Sequence, residues 1–357
     1  MTDVLNTVLC ERLGCRYPIV QTAMGWVAKP SLVIASCEAG AMGFLAGAVM
    51  TPPELTEAIH TVKAATDRPF GVNFHSFQPG AAEIIEIIIA EKVKAVSFGR
   101  GPDAKMIARL KDAGIVCMPT VGAVKHAQKM AELGVDMVTV QGGEGGGHTG
   151  AVATTILLPQ VLDAVKIPVI AGGGFADGRG LAAALAYGAV GIAMGTRFLL
   201  TKESPVPDAV KQRYLQATPD QIIVSTKVDN IPQRMVRNAL VDAIEKDGPL
   251  GRLRRAVWAG LAMRKATGAS LGELWASVQG MAKEGGMGLP QAMMAASAPM
   301  LIQKAVVGGD AEGGLMASGQ VGGRIKDIPA CAELVDRIMA EARERLAALG
   351  AGQTVAA

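Results

Sequence analysis

Short apolar runs alternate with longer helix-patterned segments along the first ~200 residues, and this rhythm constrains the fold more than any other feature. Pro18–Gln21 is followed by the helical pattern Pro30–Glu38, Ala41–Leu45 by Pro53–Lys63, and Pro69–Asn73 by Ala81–Glu91. Ala95–Phe98 then precedes Asp103–Ala113, and Ile115–Met118 precedes Val124–Leu133. Val138–Val140 precedes Leu157–Val165, Pro168–Ile170 precedes Gly178–Tyr187, and Gly191–Met194 closes the series. Strands alternating with helices build a parallel sheet with helices outside it. Asp112-Ala-Gly-Ile115, Glu132-Leu-Gly-Val-Asp136 and Tyr187-Gly-Ala-Val190 repeat one signal: a helix stops at glycine and a strand begins. Eight strand candidates predict an α/β fold, a (β/α)8 TIM barrel. A doubly wound sheet is the rival, and it needs fewer strands and a switch in strand order. In a barrel the chemistry belongs on loops that follow the strand C-termini.

After Lys202 the rhythm changes. Pro205–Gln216, Pro232–Lys246, Leu253–Lys265, Ser270–Ala282 and Leu289–Val307 read as helices, with Val224–Val228 short and extended. The expected organisation is a barrel core over 1–204, a mainly helical Met-rich capping region over 205–315, and a segment over 316–357 that returns to the barrel. Ala332–Leu349 is an amphipathic closing helix.

Half of the 357 residues are hydrophobic and 19% are charged, which describes a large globular core with little disorder. A net charge of +3 does not point to nucleic acid. No apolar run is long enough to span a bilayer and no signal peptide pattern opens the chain, so a cytoplasmic location is expected. The five cysteines are scattered without a CxxC pair or a Cys/His cluster, so neither a disulfide framework nor a metal site is expected. The Met- and Ala-rich surface permits a homodimer.

Gln141-Gly-Gly-Glu-Gly-Gly-Gly-His148-Thr-Gly150 follows the sixth strand candidate. Glycine has no Cβ and reaches positive φ, so this backbone can lie against a flat or phosphorylated ligand. His148, one of four histidines, titrates near neutrality and is presented from that loop, which marks an active site. Ala171-Gly-Gly-Gly174 and Met194-Gly-Thr-Arg-Phe198 end the seventh and eighth strands, where barrels bind phosphate through backbone N–H groups. Gly172, Gly173, Gly174, Gly195 and Thr196 suit that role; tight barrel closure by small residues is the other reading. Gln21, Asn73 and Gln141 end the first, third and sixth strands with neutral amides that serve a polar ring or the framework equally well. His60 and His126 fall on helical faces, whereas His75 follows Asn73 on a barrel-mouth loop. Cys117 reads as a buried small hydrophobe.

These motifs together resemble the nitronate monooxygenase (2-nitropropane dioxygenase-like) family of FMN-dependent barrels, related to the FMN-type enoyl-acyl carrier protein reductases. Pro18-Ile-Val-Gln-Thr-Ala-Met-Gly25, Pro69-Phe-Gly-Val-Asn73, Gln141–Gly150, Ala171–Gly180, Met194–Phe198 and Ser318-Gly-Gln320 carry the likeness over nearly the whole chain. It implies FMN as cofactor, with Met24, Gly25, Asn73 and Gln141 on the ring and ribityl chain. It implies Gly173, Gly174, Gly195 and Thr196 on the phosphate, Gly147 against the flavin, Gln320 at the ring edge, and His148 as catalytic histidine.

The likeness extends, through Met24-Gly-Trp26-Val and Glu144-Gly-Gly-Gly-His148, to a subgroup acting on CoA thioesters of steroid ring remnants. In that reading a hydride passes between a substrate carbon and flavin N5 while His148 carries the proton. Arg234, Arg237, Arg252, Arg254, Arg255 and Lys265, with Arg100 and Lys125, suit the phosphates of CoA; a solvated basic face accounts for them equally. Trp26, His75, Arg234 and Arg237 are the substrate-side candidates. Oxidation of alkyl nitronates by O2 and NAD(P)H-dependent reduction of an enoyl or quinone substrate are the alternatives.

Overall fold

The computed structural model describes residues 3–76, 78, 80–99, 104–248, 251 and 289–351. Two compact units emerge. One holds residues 1–145, 149–205 and 325–357, and the other holds 146–148 and 206–324. Among the described residues the strands are β1 (Ile19–Gln21), β2 (Met42–Leu45), β3 (Phe70–His75), β4 (Ala95–Gly99), β5 (Val116–Cys117), β6 (Thr120–Val121), β7 (Val138–Gln141), β8 (Gly147–His148), β9 (Val169–Gly172), β10 (Ile192–Met194), β11 (Ile222–Ser225) and β12 (Gln233–Val236).

The first unit is a closed parallel barrel with the helices between its strands. Its ladder runs β5-β4-β3-β2-β1-β10-β9-β7-β6. The two ends, β5 and β6, are halves of one run interrupted at Met118-Pro119, so the sheet closes on itself. Proline has no N–H to donate, and the ladder breaks there. Backbone bonds still reach both neighbours: Met118 N–H donates to Val96 O and Thr139 N–H to Pro119 O, each at 2.9 Å. Counted this way, the eight strands lie where the alternation of the sequence placed them, and the (β/α)8 barrel holds.

Met42, Ala95 and Met137 stand at or just before the starts of their strands and pack with Leu9 and Leu13 of the helix Val8–Leu13. That helix had no counterpart in the sequence reading. Burying each leucine contributes about 1.5–3 kcal/mol, and the apolar plug it forms leaves the other mouth of the barrel for chemistry. The closing helix Cys331–Gly350 lies on the helix Gly178–Tyr187. Their approach requires glycine at 178, because a Cβ there would stand against Ile338 O and 2.5 Å from Ala342 N. All five cysteines are free and buried, Cys117 included.

The second unit holds an antiparallel sheet, β11-β12-β8, with the helices Asp208–Gln216, Ala239–Lys246 and Leu289–Val306. Val228, Met235, Val241, Ile244, Ala298 and Leu315 form its core. The sequence pattern predicts one helix over Pro232–Lys246. Instead, Gln233–Val236 is a strand and the helix starts only at Ala239, where Asn238 caps it by accepting from Val241 N–H at 3.0 Å. The helices expected over Leu253–Lys265 and Ser270–Ala282 lie outside the described residues, as do Arg100, Arg252, Arg254, Arg255 and Lys265. Among the described residues no helix is long and apolar enough to cross a membrane.

Candidate active site

In the first unit the glycine run after β7 is stapled rather than loose. Gly142 N–H donates to Gly172 O at 3.0 Å and Gly143 N–H to Val152 O at 2.7 Å, while Thr149 Oγ1 donates to the carbonyls of Gly142 and Gly143, both at 3.2 Å. Glu144 Oε2 accepts from Thr154 N–H and Thr154 Oγ1, both at 2.8 Å, at the first turn of the helix Thr154–Ala164. Its carboxylate therefore serves as a helix cap.

The glycines after β9 and β10 form a cradle that side chains would fill. Gly173 and Gly174 have φ of +91° and +87°, a region that favours glycine. A Cβ on Gly173 would stand 3.1 Å from Gly145 N and 3.2 Å from Gly142 O. A Cβ on Gly195 would stand 3.1 Å from Thr22 Oγ1 and 3.4 Å from Met24 Sδ, so the loop after β1 approaches the loop after β10 closely at this glycine. Thr196, buried, begins the short helix Thr196–Leu199. Gly25 approaches Val49, and Trp26 holds φ of +62° without being glycine. Asn73 Nδ2 donates to Ser97 O at 3.0 Å, and His75 N–H donates to Gln78 Oε1 at 2.7 Å. The Gln141 side chain packs where a Cβ on Gly145 would otherwise sit. Gln21, fully buried, donates through Nε2 to Thr22 O at 2.6 Å and Phe44 O at 3.3 Å. Its Oε1 is buried without a donor among the described residues. A buried acceptor in that state fits the ring N–H of a bound cofactor.

The second unit presents His148. The chain leaves the first unit after Gly145 and re-enters it at Thr149, and the three residues between pair with β12. His148 stands opposite Gln233, and Gly147 opposite Arg234. The imidazole is half exposed (51% of its side chain) and its Nε2 lies 2.6 Å from Oδ2 of Asp229, a carboxylate only 11% exposed. Gln233 Nε2 donates to the same Oδ2 at 2.5 Å and lies 2.9 Å from His148 Nε2. Burial works to raise the Asp229 carboxyl; the bond and charge of His148, with donation from Ile231 N–H and Gln233, outweigh it and hold the group below its ordinary value. Gly146 abuts Ser318 and Gly319, and Ala317 pairs with Met235, so the segment leading to Gln320 runs along the edge of β12 that carries β8. The Arg234 guanidinium donates to Ile222 O at 3.2 Å, and that of Arg237, on the surface, donates to Asp242 at 2.5 Å.

Asp229 and Gln233 were missed in the sequence. They lie 81 and 85 residues from His148 in no motif, and only the turn pair Asp229-Asn230 hinted at ordered structure. Among the described residues no group of three His, Cys, Asp or Glu side chains is placed to hold a metal ion.

Residues 6–341 match the model of the family described as nitronate monooxygenase. A curated relative from Rhodococcus jostii (strain RHA1), named (3aS,4S,5R,7aS)-5-hydroxy-7a-methyl-1-oxo-octahydro-1H-indene-4-carboxyl-CoA dehydrogenase, is 50% identical over 98% of this chain and 99% of its own. Among solved structures, FabK from Thermotoga maritima superposes with a TM-score of 0.77 at 32% identity, covering 97% of this chain and 98% of that one. Nitroalkane oxidase from Streptomyces ansochromogenes does so with a TM-score of 0.75 at 27% identity, covering 96% and 99%. A barrel with glycine-lined loops after its seventh and eighth strands, a histidine beyond its sixth, and a family match along nearly its full length place this chain in the nitronate monooxygenase family of flavin-dependent oxidoreductases.

Proposed function

We propose that this chain is an FMN-dependent dehydrogenase acting on the CoA thioester of a bicyclic steroid ring remnant. The observation that carries the chemistry is His148, a half-exposed imidazole joined to a nearly buried carboxylate at the end of a glycine loop. The identity to the Rhodococcus dehydrogenase supports the substrate class.

In this reading Gly173, Gly174, Gly195 and Thr196 hold the FMN phosphate, because the first two supply a backbone that side chains rarely adopt and the third a close approach. Met24, Gly25, Asn73 and Gln141 serve the ring and ribityl chain, and Gly147 and Gln320 are assigned to the flavin by the family likeness. Bound FMN supplies a two-electron acceptor at N5. His148 removes the acidic C–H proton next to the thioester carbonyl as the neighbouring carbon gives up its hydride. Asp229 faces the imidazolium so formed and offsets its charge. Trp26 and His75 face substrate from the barrel loops. Arg234 and Arg237 serve the CoA phosphates, Arg237 by exchanging Asp242 for one of them.

The second reading, oxidation of an alkyl nitronate, is favoured by the likeness to nitroalkane oxidase. Anaerobic photometry separates the two. The yellow protein should bleach with a cyclic acyl-CoA, and His148→Ala should slow that bleaching by about 10²–10⁴-fold. Bleaching by propyl nitronate alone establishes the second reading, and bleaching by NADH or NADPH alone overturns both.

A further inference from the structure

We infer that Asp229 is a positioning residue that fixes the tautomer and orientation of His148, with Gln233 holding the carboxylate in place. This role rests on the catalytic reading of His148, but its structural half can be tested apart from it. Three polar atoms meet here: His148 Nε2, Asp229 Oδ2 and Gln233 Nε2, separated by 2.6, 2.5 and 2.9 Å. They do not admit every proton arrangement. An ionised carboxylate only accepts, so a bond at 2.6 Å requires the proton on His148 Nε2. If Nε2 were bare and accepted from Gln233 instead, its lone pair would face the Asp229 oxygen. Turning the Gln233 amide over would set its carbonyl against the same carboxylate. The arrangement that satisfies all three atoms has Oδ2 accepting from both neighbours, with Nε2 protonated whether the ring is neutral or charged.

The surrounding chain holds Asp229 by bonds that do not involve His148. Ile231 N–H donates to Asp229 Oδ1 at 3.1 Å, and Asn230 N–H to Thr226 O at 3.0 Å. Asn230 holds φ of +66°, a left-handed turn that asparagine tolerates better than most residues. Gln233 then stands directly across the β8–β12 ladder from His148. Among the described residues, the charged groups on the elements around the pair are Asp229 itself, Arg234 on the next residue of β12, and Lys227 in the turn, which is paired with Glu245. A carboxylate so placed does for the imidazole what a buried aspartate does in a hydrolytic triad: it selects the tautomer and stabilises the cation formed on proton uptake.

The test labels the four histidines with 15N and reads their ring nitrogens in the full-length flavoprotein, with His148→Ala identifying the signal. In the wild type, at a pH where the ring is neutral, His148 should be the Nε2–H tautomer. Asp229→Asn should shift it toward a mixture, and Asp229→Glu should restore much of the preference. Reduction of the flavin by acyl-CoA at saturation should fall about ten- to hundred-fold in Asp229→Asn, with little change in KM and an unaltered flavin spectrum. A wild-type His148 protonated on Nδ1, or an Asp229→Asn signal identical to wild type, overturns the positioning role. A wild type that acyl-CoA does not reduce overturns the substrate reading while the tautomer result stands.

Discussion

Glu341 Oε2 lies 2.7 Å from Gly178 N–H, the first amide of the helix that follows the seventh barrel strand. Asp177 accepts from Gly180 N–H of the same turn at 3.1 Å. The N-terminus that a barrel of this kind offers to phosphate thus already carries two carboxylates, and the FMN proposal therefore assigns the phosphate to the glycines before it and after β10.

Glu341→Ala should lower stability by about 0.5–2 kcal/mol, the usual worth of an N-terminal cap, and leave FMN affinity unchanged. Gly178→Ala should be harsher, because its new methyl meets backbone of the closing helix at Ile338 and Ala342; overpacking of that kind costs about 1–3 kcal/mol or more. Urea unfolding measures both. A Glu341→Ala variant that loses FMN while keeping its stability would put the phosphate back on this helix.

Gly173 and Gly174 test the cradle directly. Alanine at either must adopt a left-handed backbone, which costs about 1–2 kcal/mol per residue. At 173 the methyl also faces Gly145 N at 3.1 Å. Gly173→Ala should remain folded and bind FMN at least ~10-fold more weakly, the equivalent of 1.4 kcal/mol. Flavin fluorescence quenching on titration of the apoprotein reads this, and wild-type affinity would remove Gly173 from the site.

The barrel was legible because each of its signals is local: a run of apolar residues, a glycine stop, the next helix. Of the split fifth strand only the first half lies within the apolar run Ile115–Met118; Thr120–Val121, beyond Pro119, carries no apolar run and pairs only through the ladder to β7. The second unit hid its chemistry for the opposite reason. Gln233-Arg-Met-Val236 carries no period of its own and becomes a strand only by pairing with Ile222–Ser225 and with Gly147–His148. Read alone, it joined the helix after it, although Asn238 marked that helix's true start. Since β12 delivers Gln233 and the turn before it delivers Asp229, losing the strand meant losing these two neighbours of His148.

Tyr214 anchors the segment that approaches that strand edge. Its hydroxyl, fully buried, donates to Ala317 O at 2.8 Å, and burial pushes the phenol above its ordinary value, so it stays a protonated donor. Tyr214→Phe should cost about 1–3 kcal/mol, because it leaves a carbonyl without its donor. Thermal unfolding monitored by circular dichroism checks this, and a shift within error of zero would mean water replaces the bond.

Asp229 also sets a pH dependence of stability whose sign follows from its lowered value. The unfolded carboxyl titrates near ~3.9. Because the folded group titrates lower, the unfolded chain binds its proton first as pH falls. The stabilisation is therefore fully present above the unfolded value and is lost as pH drops through the folded one. Asp229→Asn removes the titrating group while keeping its shape. The difference in unfolding free energy between wild type and Asp229→Asn should be flat on the acid side of neutrality down to about pH 5, then shrink steadily below it. Urea titrations at stepped pH from neutrality to pH ~3 follow that difference across the window in which an exposed aspartate would titrate. A gap that stays constant to the acid end, or widens, would mean that Asp229 is not held ionised by His148 and Gln233, and the bond at 2.6 Å would need another proton arrangement.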